Sequence, residues 1–533
     1  MTTSSGFAGR FCRSACRPAV AVGGRPITAP VLTAILCAAG LARGATLGVD
    51  SSWPAQYDTL QGSTAVSTLR PQCVNRADPV LASSGSQLEI ATSLNYGLWP
   101  ASGRADQSFP EQLFAFFIGV IPARGTIGQP QLLYDQLGGR FIMVATVYDN
   151  ATQRGWLAIG TTAINEPRGI TDCTLSFDAN IQADGSLTNF WADNPRLGMT
   201  ADAVAIAADM RAFDANKSFQ YAKLWVIPKQ NIYNPPFQSC PAGNAGFFLW
   251  SSLKNPDGSL ASEVVPAKSY DRGSVTYLVS ARSNGGNALN LWTLNSQGPS
   301  LSAAQAVPAQ PYSPPPSAPQ KRTASVPSPP LITTGDTRLV NAVYQPNSGL
   351  WTVHTTACPW NPALSCFKWY DIDPGSGTTI QDAFFGYTVD SAYAPAVAVS
   401  RNAAVFVFNS SSSNHFVDVD IVGRYAGDPA NTLGQSLRVT PGVDVYTRGA
   451  PAFHNGADTD PTDDNRFWIA GAWASGNAGG QNATCPDGTV NHDWVTQIGN
   501  LSFRGPFPPP PPPPGAGYYM VSSPARVVVP GVP

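Results

Sequence analysis

The sequence predicts an all-β chain, its strands gathered into a β-propeller of about seven blades, with six to eight compatible with the length. Three observations lead there. Apolar runs of four to seven residues, rich in Val, Ile, Phe, Trp and Thr, alternate with turns built on Gly, Pro and Asn. Charged residues make up only 12% of the chain while 43% are hydrophobic, so there is core material without the charge of a coiled coil or a disordered chain. Roughly 430 residues share this texture without a break. At about 60 residues per blade, long loops included, they make seven blades, whereas a single sandwich could not hold them.

The first element is a leader. Residues 1–44 carry five arginines and no acid, and Ala29 to Ala42 is a mostly apolar run too short for a membrane span. This is the layout of a signal peptide cleaved before Ala45, with an organelle transit peptide as the alternative. Without it, 27 basic residues face 34 acidic ones, a net charge of −7. No later stretch reaches membrane-span length, and no Lys/Arg block is present to neutralise a phosphate backbone, so neither a membrane span nor a nucleic-acid partner is expected. The expected location is extracellular, or an organelle lumen on the alternative.

Six cysteines follow the leader: Cys73, Cys173, Cys240, Cys358, Cys366 and Cys485. Their even number, without a CxxC pair, reads as disulfides. Cys358 and Cys366 flank a Pro-Trp-Asn-Pro loop, and closing that ring adds about 2.5 kcal/mol on the chain-entropy relation. The others are expected as Cys173–Cys240 and Cys73–Cys485, the second tying the start of the fold to its end. N-glycosylation sequons stand at Asn150, Asn216, Asn409, Asn482 and Asn500, about the number chance supplies.

The propeller is expected over residues 45–505. Leu132–Asp135, a Gly-Gly turn and Arg140–Ala145 make the first clear hairpin. Equivalent hairpins follow around Asn284-Gly285-Gly286, Pro346-Asn347-Ser348-Gly349 and Ser400-Arg401-Asn402, and Phe467–Ala470 with Trp494–Ile498 close the series. Ala201–Phe213 is the best helix candidate and fits strands equally well. Pro308–Pro330 is Pro/Ser-rich, which by composition alone marks a domain boundary. Pro508–Pro514 is an unbroken polyproline run that cannot enter a sheet, so residues 506–533 are expected as a polyproline and disordered tail.

A set of phrases resembles a family of exported, poorly characterised β-propeller-like proteins. They are LLYDQLGGRF (132–141), DNPRLGMT (193–200), GDTRLVNAVYQPNSGLWTVH (335–354), KWYDID (368–373), GRYAGDP (423–429), DNRFW (464–468) and WVTQIGNLSF (494–503). The resemblance spans about Gln131 to Phe503 and implies that Pro308–Pro330 is an expanded inter-blade loop. It carries over no catalytic residue. The Ser-Pro-Pro-Pro at Ser313 and the polyproline run resemble, in composition, the hydroxyproline-rich segments of plant and green-algal wall glycoproteins.

Local chemistry is sparse. The four histidines, His354, His415, His454 and His492, form no zinc pattern, and His354 reads as a hydrogen-bonded core or rim residue. There is no Gly-x-Ser-x-Gly elbow, no phosphate-binding loop and no marked carboxylate pair. The acidic stretch Asp458, Asp460, Asp463 and Asp464 offers oxygens for Ca²⁺, but it lacks the glycine and glutamate of the EF-hand loop, and a solvated turn is the simpler reading. No other cofactor is expected. The tryptophans read as inter-sheet core, or as stacking platforms for sugars. The expected role is that of a secreted, disulfide-stapled glycoprotein that binds an extracellular glycan or protein, or builds matrix or cell wall. The alternatives are a carbohydrate-active hydrolase on the same scaffold and a calcium-stabilised adhesion module.

Overall fold

The computed structural model describes residues 45–57, 76–93, 95–101, 111–163, 171–233, 246–476 and 494–504. The leader, Cys73, Cys240, Cys485, Asn482, His492 and the polyproline tail lie outside the described residues.

The strands form seven consecutive antiparallel meanders. Five are separate four- or five-stranded sheets, and two are joined in a nine-stranded sheet. Their innermost strands are Val80–Ser83, Thr126–Asp135, Phe190–Met199, Val265–Pro266, Ala342–Gln345, Ser391–Val399 and Gly456–Thr459. Around the centre each packs against the next, the last returns to the first, and the meanders are therefore the blades of a closed propeller. The nine-stranded sheet arises at the fourth blade. Its inner strand stops at Pro266, and the two-residue strand Lys268–Ser269 pairs in parallel with Met199 of the third blade and with Val343 and Tyr344 of the fifth. Gly198 permits this approach, because an added Cβ would sit 2.6 Å from the Ala267 carbonyl oxygen.

The seventh blade is completed by the first and last of the described strands. Thr46–Tyr57 pairs antiparallel with Trp494–Arg504, from Thr46 opposite Arg504 to Tyr57 opposite Val495. Ala201–Phe213, ambiguous in sequence, contains the strand Ala203–Ala212. The only α-helix among the described residues is the single turn Leu113–Phe116.

Runs such as Phe141–Val147, Ala203–Met210 and Ala404–Phe408 are buried on both faces, because each blade is sandwiched between two others. That is why they lack the alternation of a half-exposed strand. Apolar clusters fill the successive gaps. Ile142, Leu157, Ile206 and Trp225 lie between the second and third blades, and Trp369, Phe367, Val397 and Phe406 between the fifth and sixth. Trp225, Trp369, Trp468 and Trp494 are fully buried, so these tryptophans serve the core.

Between the first and second blades the Glu89 carboxyl shares a 2.6 Å hydrogen bond with the Thr162 hydroxyl. Burial raises its pKa to about 8 from an ordinary 4.5. The folded value exceeds the unfolded one. The associated stability is therefore complete below pH 4.5, falls by about 1.4 kcal/mol per unit up to pH 8, and is flat above. Glu89→Gln should abolish that slope, so urea midpoints at a series of pH values should show the variant gaining on the wild type from pH 5 to 8. Parallel pH profiles would refute this.

Candidate binding site at the mouth of the central channel

One end of the channel is shaped by a repeated backbone device. Asp78, Gln129, Asn194, Glu263 and Ala394, at or near the start of five innermost strands, all have positive φ, between 42° and 53°. Four of them precede proline: Asp78-Pro79, Gln129-Pro130, Asn194-Pro195 and Ala394-Pro395. In the second, third and sixth blades the pair forms a bulge that breaks the register with the next strand, between Gly128 and Gln131, Asp193 and Arg196, and Tyr393 and Ala396. Proline lacks the N–H that a ladder would need, and the bulge re-aims the flanking side chains. Because the innermost strands run in parallel around the axis, these devices converge on one face.

They enclose a cavity of about 360 Å³, lined by Asp78, Gln129, Asp193, Asn194, Arg196 and Glu263 among others. Below it the channel narrows to about 70 Å³ between the inner strands. Arg196 and His454 line both spaces. The fifth blade contributes through the long connection 313–341. This segment leaves the outer strand Gln305–Tyr312 of the fourth blade, and its Pro316 carbonyl accepts from Thr334 and Ser365 at 2.7 and 2.6 Å. Gln320 bonds to both Tyr446 backbone groups, and Ala318 exchanges backbone hydrogen bonds with Ile332. Few backbone donors need partners in so Pro-rich a stretch, which lets it lie across the propeller face without strands of its own. It returns as Thr333–Asp336 along the cavity rim.

Four arginines and four carboxylates face the cavity. Arg211 Nε donates to Asp193 Oδ2 at 2.8 Å. Arg338 Nη1 lies 2.5 Å from Glu263 Oε1, and its Nη2 lies 2.7 Å from Asp336 Oδ2. Arg76 lies 3.5 Å from Asp78 and stacks over the Phe453 ring. Glu263 Oε2 also accepts from Asn194 Nδ2 at 2.7 Å. Arg196 is the exception. It is 7% exposed, its nearest carboxylate oxygen is Glu263 Oε2 at 3.8 Å, and its Nε and Nη1 have no hydrogen-bond partner among the described residues. Burial lowers the Arg196 pKa despite the Glu263 charge. Burial also raises the pKa of Asp209, which accepts from the Glu263 N–H at 2.8 Å, well above its ordinary value, and the Glu263 charge adds to the shift. His454 is pushed down to about 4, chiefly by burial, and is neutral at pH 7.

The residues singled out from sequence fall elsewhere. Cys358 and Cys366 form a disulfide across the hairpin at Pro359-Trp360. Cys173 is also disulfide-bonded, with a partner outside the described residues. Asn150 and Asn216 stand exposed in turns, and Asn500 lies in the strand Trp494–Arg504. Asn409 is fully buried, its Nδ2 donating to the Asp418 and Ala472 carbonyls at 2.8 and 2.7 Å, so the folded chain presents no acceptor there. The four aspartates of the acidic stretch are each engaged. Asp458 pairs with Lys268, Asp460 accepts from Thr462, Asp463 accepts from the Asn465 N–H, and Asp464 pairs with Arg401. Among the described residues no group of three or more His, Cys, Asp or Glu could hold a metal ion. His354 is fully buried, 2.9 Å from the Tyr370 hydroxyl, and burial pushes its pKa down to about 3. No helix among the described residues is long and apolar enough to cross a membrane.

Sequence reasoning missed the mouth itself. Asp193, Asn194 and Arg196 lie in DNPRLGMT, and Asp336 and Arg338 in GDTRLVNAV, phrases noticed for their resemblance alone. The signal that could have found them is the polar or small residue before proline, recurring at the start of successive inner strands.

No protein-family model matches the chain, and no curated protein matches it. Among solved structures, a Hadza microbial sialidase is 11% identical over 74% of this chain, with a TM-score of 0.34, and this chain spans 62% of its length. A phage phi92 endosialidase is 8% identical over 86% of this chain and 69% of its own, with a TM-score of 0.39. An α-L-arabinofuranosidase of Fusarium graminearum is 9% identical over 84% and 97%, with a TM-score of 0.33. At such values the activities of those proteins do not transfer to this one.

Proposed function

We propose that the protein is an exported propeller that binds a polyhydroxylated ligand of the carbohydrate class at the wide mouth of its channel, in an extracellular or wall setting. The observation that carries this reading is the mouth cavity. Its 360 Å³ falls in the range of small-molecule sites, about 300–1,000 Å³. Such sites are usually apolar, but here amide, hydroxyl, carboxylate and guanidinium side chains share the lining about equally with apolar groups, and Phe453 is the one Phe, Tyr or Trp ring among the lining residues. A ligand that matches it offers many hydrogen-bonding groups beside apolar C–H faces, as a sugar does. The bulges hold the lining on rigid strands, which keeps the ordering cost of binding low. The disulfides and the leader support export.

Ligand-observed NMR with a panel of neutral and acidic mono- and disaccharides tests the reading. Thr333 is exposed on the rim, so Thr333→Trp should shade the cavity and weaken binding about tenfold or more. Absence of binding by every saccharide, or unchanged affinity in the variant, would refute it.

Hydrolysis is the second reading, favoured by one observation. Burial and the neighbouring Glu263 charge shift Asp209 toward its protonated form, the direction a general acid needs. Asp209 is only 2% exposed and does not line the cavity, which favours binding over cleavage.

A further inference from the structure

We propose that the ligand taken at the mouth carries a carboxylate, received by Arg196 at the junction of cavity and channel. The inference rests on the carbohydrate-binding reading above and narrows it to acidic sugars of the uronic-acid class.

The argument begins with hydrogen bonds. A buried guanidinium has five donors and no acceptor, and buried polar groups in folded proteins are almost always paired. The other three arginines of the mouth meet this rule, or keep carboxylate partners within 3.5 Å: Arg76 with Asp78, Arg211 with Asp193, and Arg338 with Glu263 and Asp336. Arg196 does not. Glu263, its nearest acid at 3.8 Å, is already engaged at closer range by Arg338 and Asn194. The side chain is only 9% exposed, and what is exposed faces the cavity. A guanidinium that lines a ready cavity, with one distant ion pair through Nη2 and with Nε and Nη1 buried without a partner among the described residues, is arranged for an acceptor that the chain itself does not supply.

The surroundings choose the acceptor. Four carboxylates already line the mouth, so a doubly charged phosphate would meet repulsion, whereas a planar monoanion matches the guanidinium fork. Arg196 belongs to both the cavity and the narrow channel, which places the carboxylate at the floor and the rest of the sugar toward the polar rim. Its own strand fixes it there. The Asn194-Pro195 bulge directly precedes it, and Gly198, two residues on, locks the strand against the fourth blade.

The test compares D-glucuronate with D-glucose and D-galacturonate with D-galactose, pairs that differ only at C6, on the full chain and on Arg196→Met and Arg196→Lys. Wild type should bind each uronate at least tenfold more tightly than its neutral partner, with the gap closing at high salt. Arg196→Met should erase the gap, and Arg196→Lys should recover part of it. Acetate and inorganic phosphate serve as controls. Protection by either anion as strong as that by the uronates would point to a bare anion site and overturn the sugar assignment. Thermal melting separates binding from folding. Glu263 keeps Arg338 and Asn194 in the variant, so Arg196→Met should melt at or above the wild-type temperature. A marked fall in melting temperature would make Arg196 structural and overturn the proposal. Equal affinity for acid and neutral sugar would overturn it while leaving the carbohydrate reading intact, and binding of neither would remove both.

Discussion

Asp458→Ala is expected to destabilise the protein by about 3–5 kcal/mol, because it strands a buried cation. Asp458 is 4% exposed on the innermost strand of the seventh blade. Its Oδ1 lies 2.5 Å from Lys268 Nζ, next to the fourth blade, and accepts from the Tyr270 hydroxyl at 3.2 Å. Its Oδ2 accepts from the Ser83 N–H of the first blade at 3.0 Å. One carboxylate thus ties three parts of the ring across the channel. Burial alone would lower the Lys268 pKa, but the Asp458 charge outweighs it and holds the ammonium above its ordinary value. Without Asp458 the ammonium is left buried without its counter-charge. Urea unfolding of the single variant and of Lys268→Met/Asp458→Leu checks the mechanism. The double replacement should recover most of the loss, since apolar residues of similar size often substitute for a buried pair at little cost. A single-variant loss under about 1 kcal/mol would show that the pair is solvated.

Asn409→Leu should cost about 2–6 kcal/mol, from two orphaned carbonyls at roughly 1–3 kcal/mol each. Asn409 sits in the second strand of the sixth blade and reaches the seventh. Its Nδ2 donates to Ala472 O and Asp418 O, and its Oδ1 accepts from Asn455 Nδ2. Asn455 in turn donates to Ala394 O and accepts from the Ala472 N–H. Leucine has the right volume but no donor. Denaturant unfolding measures the loss, and a change within about 0.5 kcal/mol would refute the bridge. The same packing makes a second expectation. In protein recovered from a glycosylating secretory host, peptide mapping should find Asn409 bare, because a glycan there would have to fit between two blades. Asn150 and Asn216, in exposed turns, have room for one.

The fold was readable because each blade is built from hairpins, and a hairpin is written in some twenty adjacent residues. Leu132–Ala145 announces its two strands through Gly138-Gly139, and the structure pairs them as Thr126–Asp135 with Arg140–Asp149. Contacts between distant segments left no such mark. Lys268 and Asp458 are 190 residues apart, so the acidic stretch read as a solvated turn or a calcium loop when its first member was already the partner of a lysine. At Pro308–Pro330 composition and resemblance point different ways, the first to a boundary and the second to an inter-blade loop. Proline content suggests a boundary, yet Pro308 to Tyr312 are strand and Gln320 is pinned to Tyr446. Arg196 was invisible for a different reason. Its meaning lies in what it fails to touch, and absence of a partner is a property of three dimensions.

Thr46–Tyr57 and Trp494–Arg504 are the earliest and latest strands described, yet they zip together along a single edge. Synthesis delivers the former while the latter does not yet exist. A growing chain can therefore stack hairpin on neighbouring hairpin, but it must keep one bare edge waiting until Trp494–Arg504 has been made. So non-local a pairing makes the final step slow. Until that step the waiting edge is open to the wrong partner, including the same edge of a second molecule. The latch that makes the finished wheel durable is also the moment of greatest exposure in its making.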